Sequence, residues 1–222
     1  MGVSYNTKTV TNGLVLSLDA ANRKSYSGSG TTWTDLSGQN NTGTLNGPTY
    51  SSADGGSIVF DGSNDLVQCS GSLTVTAATF VAWIRRNGNQ DSFDGILFSR
   101  GTNVTGMNFQ ASNQIGYHWN GAFATYNWQS GLTVPDLTWC MVAVSVTSTA
   151  ATAYLGQSSG ITTATNTVSH GSSVLDDIKL ALDDAGARYF NGNIAQASIY
   201  NRALTSSEIL QNFNALRGRY GI

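Results

Sequence analysis

"YFNGNIAQASIYNRALTSSEIL", residues 189–210, reads as a strand that runs straight into a short capped helix. Thr205 and Glu208 form a Thr-x-x-Glu capping box, in which side chains satisfy two backbone amides that a helix start leaves unpaired. Leu204 before the cap and Ile209 after it stand where a hydrophobic staple would form. Ile209, Phe213 and Leu216 then mark one helical face, and Gly218 is the expected stop. Glu208, the chain's one glutamate, is thereby assigned to architecture. The strand before it, with Ile194-Ala195-Gln196-Ala197 at its centre, carries no carboxylate.

Outward from this stretch, strand-like runs recur between Gly, Asn and Ser turns. "GLVLSLDA" places Leu14, Leu16 and Leu18 on one face by the two-residue period of a strand. "ATFVAWIRR" sets Phe80, Ala82 and Ile84 against Val81 and Trp83, which implies burial on both faces. "SIVFDG", "DLVQCS", "GILFSR", "MNFQAS", "QIGYHWN", "WCMVAVSVTS", "ATAYLG", "DIKLALDD" and "GNIAQASIY" complete the expected set. Many short strands with turn residues between them predict an all-β sandwich or barrel, with the C-terminal helix expected to close its end. Residues 1–11 form an N-terminal arm, and 12–222 a single domain. Residues 22–57 are the least regular part, a long loop with short strand pieces packed by Tyr26, Trp33 and Leu36.

Composition narrows the function classes. Charged residues are 11% of 222 and the formal net charge is −2. That balance excludes a basic nucleic-acid footprint and a polybasic membrane patch. No apolar run reaches the ~18 residues of a membrane span, and the first residues lack the apolar core of a secretory signal. Cys69 and Cys140 lack metal spacing; they are buried free thiols or one inter-strand disulfide. Sequons at Asn40 and Asn103 matter only in a eukaryotic secretory route.

Four segments together resemble the laminin-G-like, concanavalin A-like jelly-roll family: residues 13–50, "GGSIVFDGSNDLV", residues 115–146, and "RYFNGNIAQASIYNRALTSSEI". The resemblance spans nearly the whole chain and implies two packed antiparallel sheets in jelly-roll order. Members of the family occur as modules in adhesins, carbohydrate-active enzymes and phage structural proteins. The fold itself hosts lectins, spacers and enzymes, so function must come from a site.

Enzymatic signals are thin. A glycosidase needs two carboxyl groups flanking the bond, and the Glu-x-Asp-x-x-Glu strand motif of the related glucanases is missing. Asp176-Asp177 and Asp183-Asp184 are adjacent pairs whose members point to opposite faces of a regular strand. The Arg, Gln, His and Tyr pattern of jelly-roll alginate lyases is not legible either. His118 and His170 are far apart with no nucleophile elbow beside them, so a local hydrogen-bonding role is expected for both.

Two binding readings remain. "FDGSND" offers Asp61, Asn64 and Asp65 on one turn as oxygen ligands for calcium, with Asp19 and Asp35 able to approach. In calcium-binding relatives an acidic pair stands in the final strand, where this chain has Ala195-Gln196. The plainer reading makes Asp61 and Asn64 Asx-turn residues. The second candidate is Tyr117, Trp119, Asn120, Tyr126 and Trp128: sugar rings stack on aromatic planes, and amides bond their hydroxyls. Period-two spacing pairs Tyr117 with Trp119, and Tyr126 with Trp128. Core packing competes with this, most strongly at Trp119, while Trp83 and Trp139 are assigned to the core.

The expectation is therefore a non-enzymatic jelly-roll binding module with weak affinity for a carbohydrate or cell-surface glycan. Its setting would be a phage virion, as capsid decoration or tail-fibre component, or the extracellular space after release. Other virion proteins or further copies of the chain would be its partners; in the purely structural alternative, neighbouring copies would dock through residues such as Val3 and Tyr5. The alternatives are a purely structural assembly module and a polysaccharide hydrolase or lyase.

Overall fold

The computed structural model describes residues 8–222, so Val3 and Tyr5 lie outside the described residues. Two large antiparallel sheets face each other. One runs, in hydrogen-bonded order, Gly160–Asn166, Ala151–Gln157, Cys140–Val146, Ala78–Arg86, Asn191–Tyr200, Ser57–Asp61 and Thr49–Ser51, with Leu14–Asp19 also paired to Asn191–Tyr200. The other runs Gln114–His118, Val104–Gln110, Gly95–Arg100, Ile178–Leu180, Leu66–Cys69, Gly43–Asn46 and Thr32–Trp33. Two small ribbons, Leu73–Val75 with Ser173–Leu175 and Leu182–Asp183 with Arg188–Tyr189, sit at the margins. This is the jelly-roll sandwich that the family resemblance implied.

The core follows the alternation. From the central strand Ala78–Arg86, Phe80, Ala82 and Ile84 enter the layer between the sheets, while Val81 and Trp83 enter a second cluster on the outer face. That outer face is covered by the C-terminal helix Ser206–Leu216. Phe213 stacks on Trp83 at 5.7 Å between ring centroids, and Tyr220 at 4.4 Å. The helix therefore lies flat on the larger sheet and does not close the end of the sandwich. Ile209 and Phe213 are the reason: burying that apolar stripe requires a broad apolar surface, which Val81, Trp83, Met141 and Ala143 supply.

Strand Asn191–Tyr200 is paired along both edges within the larger sheet. One side pairs with Ala78–Arg86; the other pairs first with Ser57–Asp61 and then with Leu14–Asp19. A register shift between Ile194 and Gln196 leaves Ala195 as a bulge. Ile194 faces the inner core before it, Ala197 and Ile199 after it, and Ala195 joins the outer cluster. One extra residue inverts the side-chain parity of a strand. A second bulge between Leu14 and Leu16 does the same at the N-terminus. Val15, Leu16 and Leu18 face the inner core and Leu14 packs against the outer cluster, which corrects the single face expected for the three leucines.

Local signals are realised with small shifts. The capping box forms as expected: Thr205 Oγ1 accepts from Glu208 N, and Glu208 Oε2 accepts from Thr205 N. The helix then tightens into a 3₁₀ turn, Arg217–Tyr220, which stops at Gly221 with φ +68°, so Gly221 and not Gly218 supplies the left-handed stop. Strand Gly160–Asn166, "GITTATN", has no apolar alternation because it is an edge strand, and the sequence pattern missed it. In residues 22–57, Tyr26 and Trp33 are buried as packing residues while Leu36 is partly exposed. Cys69 and Cys140 are buried free thiols, and burial pushes both up to about 12.

Candidate functional site

Period two divides the segment Gln114–Trp119 between two environments. Tyr117 and Trp119 share a face as expected, but that face is the inner one, and each is 1% exposed. Tyr117 Oη lies 3.0 Å from His170 Nε2 and accepts from Asn166 Nδ2, and Trp119 Nε1 donates to Gly171 O at 2.7 Å. Trp128 packs edge-on against Tyr117 at 5.8 Å and is half-buried. Asn120 is exposed, and its amide donates to Ser172 O. Tyr126 belongs to a one-turn helix, Phe123–Tyr126, not to a strand, so it does not share a face with Trp128. Of the five expected contacts, burial removes Tyr117 and Trp119 from any surface site, and Tyr126 alone lines a cleft.

That cleft opens on the outer face of the seven-stranded sheet. Its volume is about 320 Å³, and Phe93, Arg100, Val104, His118, Gly121, Tyr126, Ala185 and Arg188 line it. His118 points outward because Tyr117 and Trp119 point inward. Cross-strand register places Gly106 between His118 and Phe98. With no side chain at Gly106, the two rings lean over it and meet edge to face at 5.0 Å. A Cβ there would stand 2.8 Å from the Phe98 ring. Tyr126 stacks over the imidazole at 5.4 Å, and Phe93 meets it edge-on at 5.5 Å. Phe123, 67% exposed, continues the aromatic wall outward, 5.5 Å from Tyr126.

The floor is polar and unspent. His118 is 5% exposed, and neither ring nitrogen has a hydrogen-bond partner. Two residues along from Gly106 and outside the lining of the cleft, Asn108 is fully buried on the same face with both amide atoms unpartnered. Buried polar atoms without partners are rare and costly, and mark sites where a ligand or water completes the set. Burial, with Arg100 and Arg188 nearby, brings the imidazole down to about 4 against the opposing pull of Asp183. It is thus neutral at pH 7, with one donor and one acceptor nitrogen. Phe93 holds φ +77°, a left-handed backbone that costs a bulky residue about 1–3 kcal/mol. The strain is held by Phe93 N donating to Phe109 O and Phe109 N to Asp94 O.

The wall beside Phe93 is charged. Asp183, fully buried, accepts from Arg100 and from Arg188, whose guanidinium also lies 4.8 Å over the Phe93 ring. Asp94 is buried near them, and desolvation raises its carboxyl to about 6. Arg100, Arg188 and Phe93 were not singled out from the sequence. They come from three separated segments, and no local spacing signals their convergence.

The remaining expected sites are turned to structure. Asp61 Oδ1 accepts from Ser63 N and Asn64 N, and Asp65 Oδ2 accepts from Asp61 N, which are turn bonds. Asp19 pairs with Arg219, and Asp35 holds the amides of Ser17, Ser37 and Asn41. Among the described residues no group of three or more His, Cys, Asp or Glu side chains converges as a metal set. At "FDGSND" the bonds of Asp61 Oδ1 and Asp65 Oδ2 are those of the plainer Asx-turn reading. Glu208, held near 2 chiefly by Arg202, sits on the helix across the sandwich from the cleft. Asp177 and Asp184 share Lys179.

The whole architecture has known counterparts. Domain 4 of AbnA, an extracellular arabinanase from Geobacillus stearothermophilus in complex with arabinotriose, superposes with a TM-score of 0.68 at 16% identity, over 91% of this chain and 98% of that one. A Trypanosoma rangeli sialidase in complex with the inhibitor DANA gives 0.65 at 18% identity, over 95% of this chain and 35% of the sialidase. The binding domain of Paraclostridial Mosquitocidal Protein 1 gives 0.58 at 15% identity, over 92% of this chain and 52% of that chain. At these identities the likeness is one of fold. No curated protein matches the sequence. The family model described as the concanavalin A-like lectin/glucanases superfamily matches residues 60–210, more than half of the chain, in the region that contains both the cleft and the strand–helix junction. The chain belongs to the concanavalin A-like lectin/glucanases superfamily.

Proposed function

We propose that this chain is a non-enzymatic carbohydrate-binding module whose ligand occupies the cleft between Phe93 and Tyr126. The observation that carries the reading is His118: a buried, neutral imidazole with two free nitrogens, framed by aromatic rings. A sugar ring presents C–H faces to Tyr126 and Phe123 and hydroxyl groups to the imidazole, which both donates and accepts. A cleft of this size takes one or two residues of a glycan, so single-site affinity is weak and repeated copies strengthen it by effective concentration. The arabinotriose complex of the arabinanase domain supports carbohydrate as the ligand class, since that domain shares the fold.

A glycan array probed with a multimerised chain tests the reading. Tyr126→Ala should abolish array binding while leaving the urea midpoint within the ordinary range of surface substitutions; array binding that survives both Tyr126→Ala and Phe123→Ala would place the ligand elsewhere. The particle-exposed setting read from the sequence is part of the same proposal, and mass spectrometry of purified particles tests it. The enzymatic alternative draws on one observation, that Arg100, His118 and Tyr126 meet in the cleft. Release of reducing ends, or an unsaturated product, from a polysaccharide would establish it.

A further inference from the structure

The two arginines of the cleft say what kind of sugar it takes. Asp183 is fully buried, and both its oxygens are saturated. Oδ1 accepts from Arg100 Nε and Ala185 N, and Oδ2 from Arg100 Nη2 and Arg188 Nη1. That leaves Arg100 Nη1, and Arg188 Nε and Nη2, with no acceptor among the hydrogen bonds of the described residues. The Nε and Nη2 groups form one edge of the guanidinium, a fork matched to the two oxygens of a carboxylate. Arg188 is 30% exposed and Arg100 25%, so both are reachable from the cleft yet partly shielded from water. Its ring contact with Phe93 fixes the Arg188 plane beside the aromatic wall. Asp94, the other nearby acid, accepts from Asp91 N and makes no ion pair with either arginine.

We infer that the cleft selects an acidic glycan, with a sugar carboxylate docked on the free edge of Arg188 and a ring hydroxyl on His118. The inference rests on the carbohydrate reading above and adds the charge class of the ligand. The two guanidinium groups ion-pair with one buried carboxylate, Asp183, and their remaining donors stand free at the cleft, while the chain as a whole carries −2. The preference is therefore local to the cleft. A neutral glycan would leave the Arg188 fork without its acceptor and gain only the stacking and hydroxyl contacts.

The test pairs ligands that differ only in charge: trigalacturonate with its methyl ester, and sialyllactose with lactose, titrated calorimetrically into the full chain. At least one acidic member should bind about tenfold or more tightly than its neutral partner. That advantage should shrink between low and high salt, since exposed charge pairs are screened. Arg188→Gln should bring the ratio of acidic to neutral affinity close to one, whereas Arg85→Gln, which removes the same charge outside the cleft, should preserve it. Should Arg188→Gln melt early, the salt dependence of the wild-type ratio decides alone. Equal binding of acidic and neutral partners overturns the inference and leaves the carbohydrate reading standing. Absence of binding to every acidic and neutral glycan on a broad array overturns both.

Discussion

Three consecutive residues, Tyr117, His118 and Trp119, show how one side chain's direction separates packing from recognition. All three are large and semi-polar, and the period of two divides them into two inward and one outward. Trp119 fills the core and spends its only donor on Gly171 O. Trp119→Ala should cost about 3–5 kcal/mol in urea denaturation, the usual loss for a buried aromatic. A loss under 1 kcal/mol would show that the ring is not core. The alternation was legible in the sequence. Which of the two faces looks inward was not, because both carry residues able to be buried, and the choice is made by the opposing sheet. Tyr126 lies outside the core, and its helical turn was not legible in four residues too short to show a period.

At the scale of the element, the capped helix is the part read most fully from local sequence. Its signals are short-range: Thr205, Glu208 and Leu204 act within one turn, and their geometry is fixed by helix stereochemistry alone. Arg202, chiefly, and the Thr205 amide hold the Glu208 carboxyl near 2, against 4.5 when free. A carboxyl with a lowered folded pKa stabilises the native state above its unfolded pKa, and that contribution is lost as pH falls through the folded one. Glu208→Gln should therefore trail wild type by a few tenths to about 1 kcal/mol at pH 6, with the gap closing as pH approaches 2. Thr205→Ala should cost about 1 kcal/mol through the lost cap. Parallel pH curves for wild type and Glu208→Gln would contradict the ion-paired cap. The place where this helix docks was not local information: it follows from Trp83, which comes more than a hundred residues earlier.

At the scale of the molecule, two buried groups on either side of the Asp183–arginine cluster carry opposite proton linkage. His118 is brought from 6.5 down to about 4, so the unfolded chain binds its proton first, and acidification from pH 6.5 favours unfolding. Asp94 is raised from 3.8 to about 6, so the folded chain binds that proton first, and acidification from pH 6 favours folding. The two contributions oppose each other between about pH 6 and 4. His170, also lowered by burial, adds to the first. Asp94→Asn removes the compensation, and its stability should fall between pH 7 and 4.5 by about 2 kcal/mol more than that of wild type. Denaturant midpoints across that range check this, and superimposable pH profiles would refute the linkage.

The sequence by itself determined the class of the fold and its local punctuation. Alternating apolar residues, glycine and asparagine turns and a capping box are properties of neighbours along the chain, and physical chemistry acts on them before any tertiary contact exists. Only the tertiary structure decided the site. Phe93, Arg100, His118, Tyr126 and Arg188 stand on segments up to 95 positions apart, gathered by the pairing of Gly95–Arg100 with its neighbours and by the ribbon Leu182–Asp183 with Arg188–Tyr189. Bulges at Val15 and Ala195, each one residue long, reversed which side chains met the core. Parity and convergence are set by how two sheets bury each other's faces, and that choice is made by the whole fold at once.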